Sequence, residues 1–288
     1  MDFFEVISEE RIGVNPLLKW TGSKYKLLPV IIPKYINKNM LDDGQTYFEP
    51  FMGSGAVAFG CNFKNMVLND KNKKLVNFYS QTRDNTHNLY TEIDTVIKDY
   101  KRSDNKEIYY YNRRKEFNTT TKEIRSAALF WFLNKTGFNG IYREDSKGNL
   151  NTPYGKRDCN LSNIKDFEVI ADILSGCQLF NKDFEEICNM TSGGDLVYFD
   201  PPYIPISETS SFSTYLKGGF SIDDHIRLNN IMEELDKRGV KIVMSNSKCK
   251  LTQDTYKNFK IKDINVRRLI SAKNKGRGIV QEVVVTNF

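Results

Sequence analysis

Residues 46–70 run in the order strand, glycine turn, helix, strand, and this constrains the fold more than any other stretch of the chain. Thr46-Tyr47-Phe48-Glu49 is a short apolar strand stopped by Pro50. Gly53-Ser54-Gly55 then opens a helix over Ala56 to Phe59, and Met66-Val67-Leu68-Asn69-Asp70 forms the next strand. Such a unit hides its apolar faces by laying two parallel strands side by side beneath the helix, which predicts an open α/β sheet. Further strands are expected at Cys177 to Phe180, Leu196 to Phe199 and Lys241 to Ser245, with helices between them and a terminal strand at Glu282 to Thr286. Ahead of the unit, the apolar residues Leu27 to Ile32 predict a helix halted near Pro33.

Between these segments the pattern changes. Helical periodicity around Tyr90 to Tyr111 and Lys122 to Leu133 leads into Phe138 to Arg143, predicted as a β-hairpin, with turn residues at Asp145 to Asn149. The expected organisation is one α/β domain formed by residues 1–80 and 166–288, interrupted by an insert at 81–165. The length of 288 residues fits this, since domains average roughly 150 residues.

Composition removes several classes. Hydrophobic residues at 40% and charged residues at 27% exclude a disordered or fibrous chain. The longest apolar run, Ala127 to Leu133, falls far short of the ~18 to 20 residues a membrane helix needs, and the acidic N-terminal residues are unlike a signal peptide, so a cytoplasmic protein is expected. The 5 cysteines lack C-x-x-C spacing and read as reduced thiols, and 2 histidines leave little for a metal site or a Ser-His-Asp triad. A net charge of +6 leans toward a polyanionic partner without establishing one.

Two segments carry the chemistry. Gly53-Ser54-Gly55-Ala56-Val57-Ala58 lies where absent side chains let a nucleotide-like cofactor approach a helix N-terminus, and Asp70, ending the next strand, can accept from ribose hydroxyls. The same letters fit a dinucleotide fingerprint and an unliganded tight turn. The second segment, Asp200-Pro201-Pro202-Tyr203, follows the apolar strand Leu196 to Phe199 and is expected to face the same crevice. Two prolines stiffen the turn and remove two donors, leaving the Asp200 carboxylate and the Pro201 carbonyl as a ledge of acceptors. Such a ledge suits the exocyclic amine of a nucleobase: two acceptors localise its lone pair and stabilise the positive charge that develops during alkyl transfer. Tyr203 offers a face for stacking the base. A Pro-initiated turn with no chemical role is the plain alternative.

On these residues the sequence resembles the Dam-type, α-class DNA adenine-N6 methyltransferases. Asn15 to Lys24 resembles their N-terminal motif, Phe48 to Gly55 their S-adenosylmethionine turn, Asn69-Asp70 their ribose-binding acid, and Asp200 to Tyr203 their catalytic tetrad. The resemblance implies a Rossmann-like methyltransferase domain with an inserted helical and β-hairpin DNA-recognition region. It implies that Trp20, Lys24, Phe51, Gly53, Gly55, Asp70, Asp183, Phe184 and Asp200 line the cofactor pocket, with Phe184 against the cofactor adenine. Asp200 and Pro201 would accept from the target amine while Tyr203 stacks on a flipped adenine. The site implied is GATC in double-stranded DNA. Arg143 would read a guanine, which suits a bidentate guanidinium on O6 and N7. Phe138 and Asn139 would open the stack, Ile141 and Pro153 would touch the thymine methyl, and Lys19 would touch the first base pair, with Lys156 nearby. Phe138 and Lys156 depart from the family's usual residues, and an ordinary surface hairpin is the alternative. No metal is implied; a monomer and a separate cognate restriction endonuclease fit the resemblance.

Basic residues at Arg113-Arg114-Lys115, and at Arg267-Arg268 with Lys273, Lys275 and Arg277, are candidates for phosphate contact, and Ala272 to Gly278 is a candidate loop closing over DNA. Rival readings are methylation of cytosine N4, RNA adenine or a protein amide, an NAD-dependent oxidoreductase sharing the glycine turn, and a DNA-binding protein without catalysis.

Overall fold

A computed structural model describes residues 14–61, 63–204, 220–267 and 279–288. Residues 272–278, the candidate closing loop, and Arg268, Lys273, Lys275 and Arg277 lie outside the described residues. The frame is a seven-stranded sheet of β1 (Tyr47–Glu49), β2 (Met66–Asn69), β3 (Cys177–Phe180), β4 (Leu196–Phe199), β5 (Lys241–Ser247), β6 (Lys260–Arg267) and β7 (Ile279–Thr286), in the order β3-β2-β1-β4-β5-β7-β6. β1 to β5 are parallel neighbours, and β7 runs antiparallel between β5 and β6. This is the expected Rossmann-like arrangement. The carboxyl ends of β1, β2 and β4 lie together at the edge where ligands of open α/β sheets bind.

The sheet is covered on both faces, so β1, β2 and β4 are buried along their whole lengths. Alternate residues serve opposite cores. Tyr47, Met66, Leu68, Leu196 and Tyr198 pack with α1 (Leu28–Tyr35), α2 (Ala56–Cys61), α3 (Lys73–Asp84), α4 (Thr86–Arg102), α5 (Lys106–Thr119), α6 (Glu123–Thr136) and α7 (Ile164–Ser175). Phe48, Val67, Val197 and Phe199 pack with α8 (Phe184–Cys188) and α9 (Ile222–Lys237).

Several expectations are corrected. α1 passes through Pro33 to Tyr35: proline removes one donor, and the ladder resumes as the Ile36 N–H donates to the Ile32 carbonyl. The periodicity over Tyr90 to Tyr111 belongs to two helices, because Asn105 accepts from the Ile108 N–H and caps α5. β6 was not expected at all, and β7 starts earlier than Glu282. Residues 138–143 are a helical turn over Phe138–Gly140 and an extended exit, not a ladder hairpin. Asn139 sits at φ 54°, and the backbone pairing between the segment and its return is limited to isolated bridges, Gly137 to Tyr154 and Glu144 to Leu150. β2 and β3 are adjacent, so α3 to α7 and the 137–163 loop form one long crossover between them. α3 runs across position 80, and α7 begins at Ile164.

Candidate active site

Asp200 leaves the end of β4 and meets a lysine from the first described segment. The Lys24 ammonium lies 2.7 Å from one carboxylate oxygen of Asp200 and 2.8 Å from the other, and also donates to the Gly22 carbonyl at 2.6 Å. Lys24 is only 4% exposed. The same ammonium stands 4.6 Å above the centre of the Tyr203 ring. Burial pushes the Asp200 carboxyl up, Lys24 pulls it back, and Glu282 adds to the rise. Pro201 is buried while Pro202 faces outward. The ledge therefore holds a nitrogen cation between a carboxylate and an aromatic face.

The glycine turn is built for close approach. Gly53 and Gly55 adopt φ of 48° and 70°, in the left-handed region that favours glycine. A Cβ on Gly53 would stand 2.9 Å from the Trp20 indole, and one on Gly55 would stand 2.4 Å from the Phe59 ring. Asp70 braces this turn: one oxygen accepts from the Gly53 N–H at 3.0 Å and the other from the Asn72 N–H at 2.8 Å. The Tyr79 hydroxyl donates to the Ser54 carbonyl beneath it. Asp183 caps α8 and forms a two-pronged ion pair with Arg227, whose guanidinium covers the Phe184 ring at 4.2 Å. Phe51 packs 5.3 Å from Phe184. Turn, acids and aromatics thus gather at one end of the sheet, by the carboxyl ends of β1, β2 and β4.

Glu49, beneath the turn at the end of β1, is 2% exposed and accepts from the Tyr47 hydroxyl at 2.8 Å. Burial pushes its carboxyl up to about 8, with the Tyr47 hydrogen bond opposing. The unfolded chain releases this proton near the ordinary value of 4.5, so between that pH and about 8 the folded protein holds one proton more. Stability is therefore expected to fall across that window by about 1.4 kcal/mol per pH unit from this group. Urea unfolding of wild type and Glu49→Gln from acid to neutral pH checks it: the slopes should differ by one proton, and equal slopes would refute it.

The candidate DNA residues gather on the 137–157 loop. Phe138 and Ile141 are 51% and 41% exposed, large apolar side chains left in solvent. Arg143, Pro153 and Lys156 are also exposed, and Lys156 shares with Asn139 a left-handed backbone. Asn151 holds the Arg143 guanidinium by accepting from Nε at 2.7 Å. Exposed Lys19 joins this group: the buried Asn134 side chain accepts from the Lys19 N–H and donates to the carbonyls of Lys19 and Gly140. Trp20 stacks on Tyr142 at 5.7 Å. Residues 19 to 24 therefore reach from the 137–157 loop at one end to Asp200 at the other.

Sequence reading missed five of these participants. Glu49, Asn134 and Glu282 are buried polar residues within apolar surroundings, a signal that was readable. Arg227 and Lys135 carried none. Burial beside Trp131, reinforced by Lys19, pushes the Lys135 ammonium down to about 8. Arg113 and Arg114, two of the candidates for phosphate contact, pair with Glu116 and donate to the Thr152 carbonyl respectively. The described residues contain no helix long and apolar enough to cross a membrane.

Comparison with known proteins identifies the family. Type II methyltransferase M1.LlaDCHI of Lactococcus lactis subsp. cremoris is 35% identical over 289 residues, covering 98% of this chain and 99% of its own. Type II methyltransferase M.MjaIII of Methanocaldococcus jannaschii is 33% identical over 290 residues, covering 96% and 99%. The DNA adenine methylase of Vibrio cholerae is 30% identical over 272 residues, covering 93% and 94%. Residues 20–270 match the family described as D12 class N6 adenine-specific DNA methyltransferase. With its sheet order, braced glycine turn and Asp200 ledge, the chain belongs to the D12 class of N6 adenine-specific DNA methyltransferases.

Proposed function

We propose that the protein transfers a methyl group to N6 of adenine within GATC in double-stranded DNA, after the base has left the helix. The observation that carries this reading is the Lys24 ammonium on both oxygens of Asp200 and over the Tyr203 ring: the pocket binds a positively charged nitrogen where an amine acquires charge during transfer. Tyr203 supplies the stacking face, and a paired amine inside a duplex can reach it only by leaving the stack. Trp20, Lys24, Phe51, Gly53, Gly55, Asp70, Asp183 and Phe184 would hold S-adenosylmethionine, which supplies an electrophilic methyl when bound. The family uses this donor, and no metal enters the reading.

Residues 81–165 act as the recognition insert. Exposed Phe138 and Ile141 beside the Asn151-held Arg143 support the base-reading roles, with Asn139, Pro153, Lys156 and Lys19 on the same rim. Two relatives named Type II methyltransferase support pairing with a separate restriction endonuclease of the same specificity. The protein would act as a monomer in the cytoplasm.

The test is transfer of labelled methyl to a GATC duplex, the same duplex with one base pair of the site changed, and one already N6-methylated on both strands. Label only in the first is expected. Label in the altered duplex as well would discard the site, and none in any would discard the substrate. Arg143→Ala should lower discrimination at one base pair by about 1–3 kcal/mol. Unchanged discrimination would remove Arg143 from the reading.

A further inference from the structure

Glu282 stands in the middle of β7, opposite Ser247 of β5 and Ile264 of β6, and is followed by three buried valines, Val283, Val284 and Val285. A carboxylate there is 8% exposed and costs desolvation that an apolar residue would avoid. Nothing in the sheet requires it. Its described partner belongs to the catalytic tetrad: the Tyr203 hydroxyl donates to Glu282 Oε2 at 2.8 Å. Burial pushes the Tyr203 phenol up, so it remains a donor throughout the neutral range.

Apart from this bond and the Lys24 ammonium, which pairs with Asp200 and lies over the Tyr203 ring, the tetrad is held through its backbone. Pro201 and Pro202 set the turn, and the Ile204 N–H donates to Asn246 Oδ1 at 3.2 Å on β5. Those backbone bonds do not set the direction in which the Tyr203 side chain projects, whereas a stacking ring must keep one position. The bond to Glu282 pins the hydroxyl end of the ring axis, and the Lys24 ammonium lies over the face of the ring held there.

We propose that Glu282 is a positioning residue for methyl transfer, fixing through the Tyr203 hydroxyl the ring on which the target adenine stacks. The inference rests on the functional reading above and adds to it a residue outside the tetrad. Glu282 is not a catalytic residue, because it acts on the reaction only through Tyr203.

The experiment is a double-mutant cycle on the full chain, reading kcat with saturating donor and GATC duplex, KM for the donor, and thermal unfolding. Glu282→Ala and Tyr203→Phe are each expected to lower kcat by about tenfold, on the order of one hydrogen bond to a charged group, with the donor KM unchanged. The double variant should be no slower than either single one. Glu282→Gln keeps an acceptor and should recover part of the loss; if the alanine variant does not fold, Gln takes its place in the cycle. Wild-type kcat in Glu282→Ala overturns the proposal, as does a Glu282 deficit equally large in the Tyr203→Phe background, which would show it acting through the sheet. A wild-type protein that methylates no adenine would overturn the functional reading and this inference with it; the other two outcomes overturn the inference alone.

Discussion

Asp200→Ala is expected to lower methyl transfer by about 10²- to 10³-fold while DNA binding stays within a few fold of wild type. The loss follows from removing the acceptor that stabilises charge on the amine as it is alkylated. The rim proposed to contact DNA, Lys19 and the 137–157 loop, does not rest on this carboxylate. The same change leaves the Lys24 ammonium, 4% exposed, with the Gly22 carbonyl but without its counter-charge, so stability should also fall by about 2 kcal/mol. Single-turnover transfer, duplex titration and urea unfolding on one preparation separate the effects. Wild-type transfer by the folded variant would refute the assignment of Asp200.

Gly55→Ala is expected to cost roughly 2–5 kcal/mol, the sum of a left-handed backbone forced on a residue with a side chain and an overpacked contact. The contact is specific: the new Cβ would meet Phe59 Cε2 at 2.4 Å, and Phe59 is held against Tyr79, ring centres 5.5 Å apart. Gly148 makes the control, with φ 77° and open space around it, so Gly148→Ala should cost only the backbone component, about 1 kcal/mol. Urea midpoints of the two variants measure the difference. Equal losses would show that Phe59 yields and that the turn tolerates a side chain.

The parts of this fold legible in the sequence are those where one residue has few alternatives. Gly53, Gly55 and the Pro201-Pro202 pair announce their backbone, and apolar strands buried on both faces announce a covered parallel sheet. β6 was illegible because Lys260 to Arg267 interleaves charged residues with Ile261, Ile264 and Val266 at the edge of the sheet, where one side of the ladder is unpaired. The segment at Phe138 to Arg143 was placed correctly along the chain and given the wrong geometry. The left-handed backbone at Asn139 and Gly140 turns it back at once, and the Asn134 clamp that favours this turn joins Gly140 to Lys19, a partner far away in sequence. Arg227 was illegible for a related reason: it draws its meaning from an aromatic ring, Phe184, brought to it only by the fold.

The tie of Lys19 and Trp20 to Asn134, Gly140 and Tyr142 bears on how specificity could be exchanged between relatives. On the proposed reading the DNA-contacting module is discontinuous: most of it lies in the crossover, but one edge is supplied by the segment that also delivers Lys24 to Asp200. A graft of the crossover alone would set a foreign loop against native Lys19 and Trp20, breaking both the Asn134 clamp and the indole stack. Chimeras should therefore carry residues 19 and 20 with the insert, while keeping Lys24 with the catalytic half. The boundary that matters for engineering a new site falls inside a stretch of five residues near the start of the described chain.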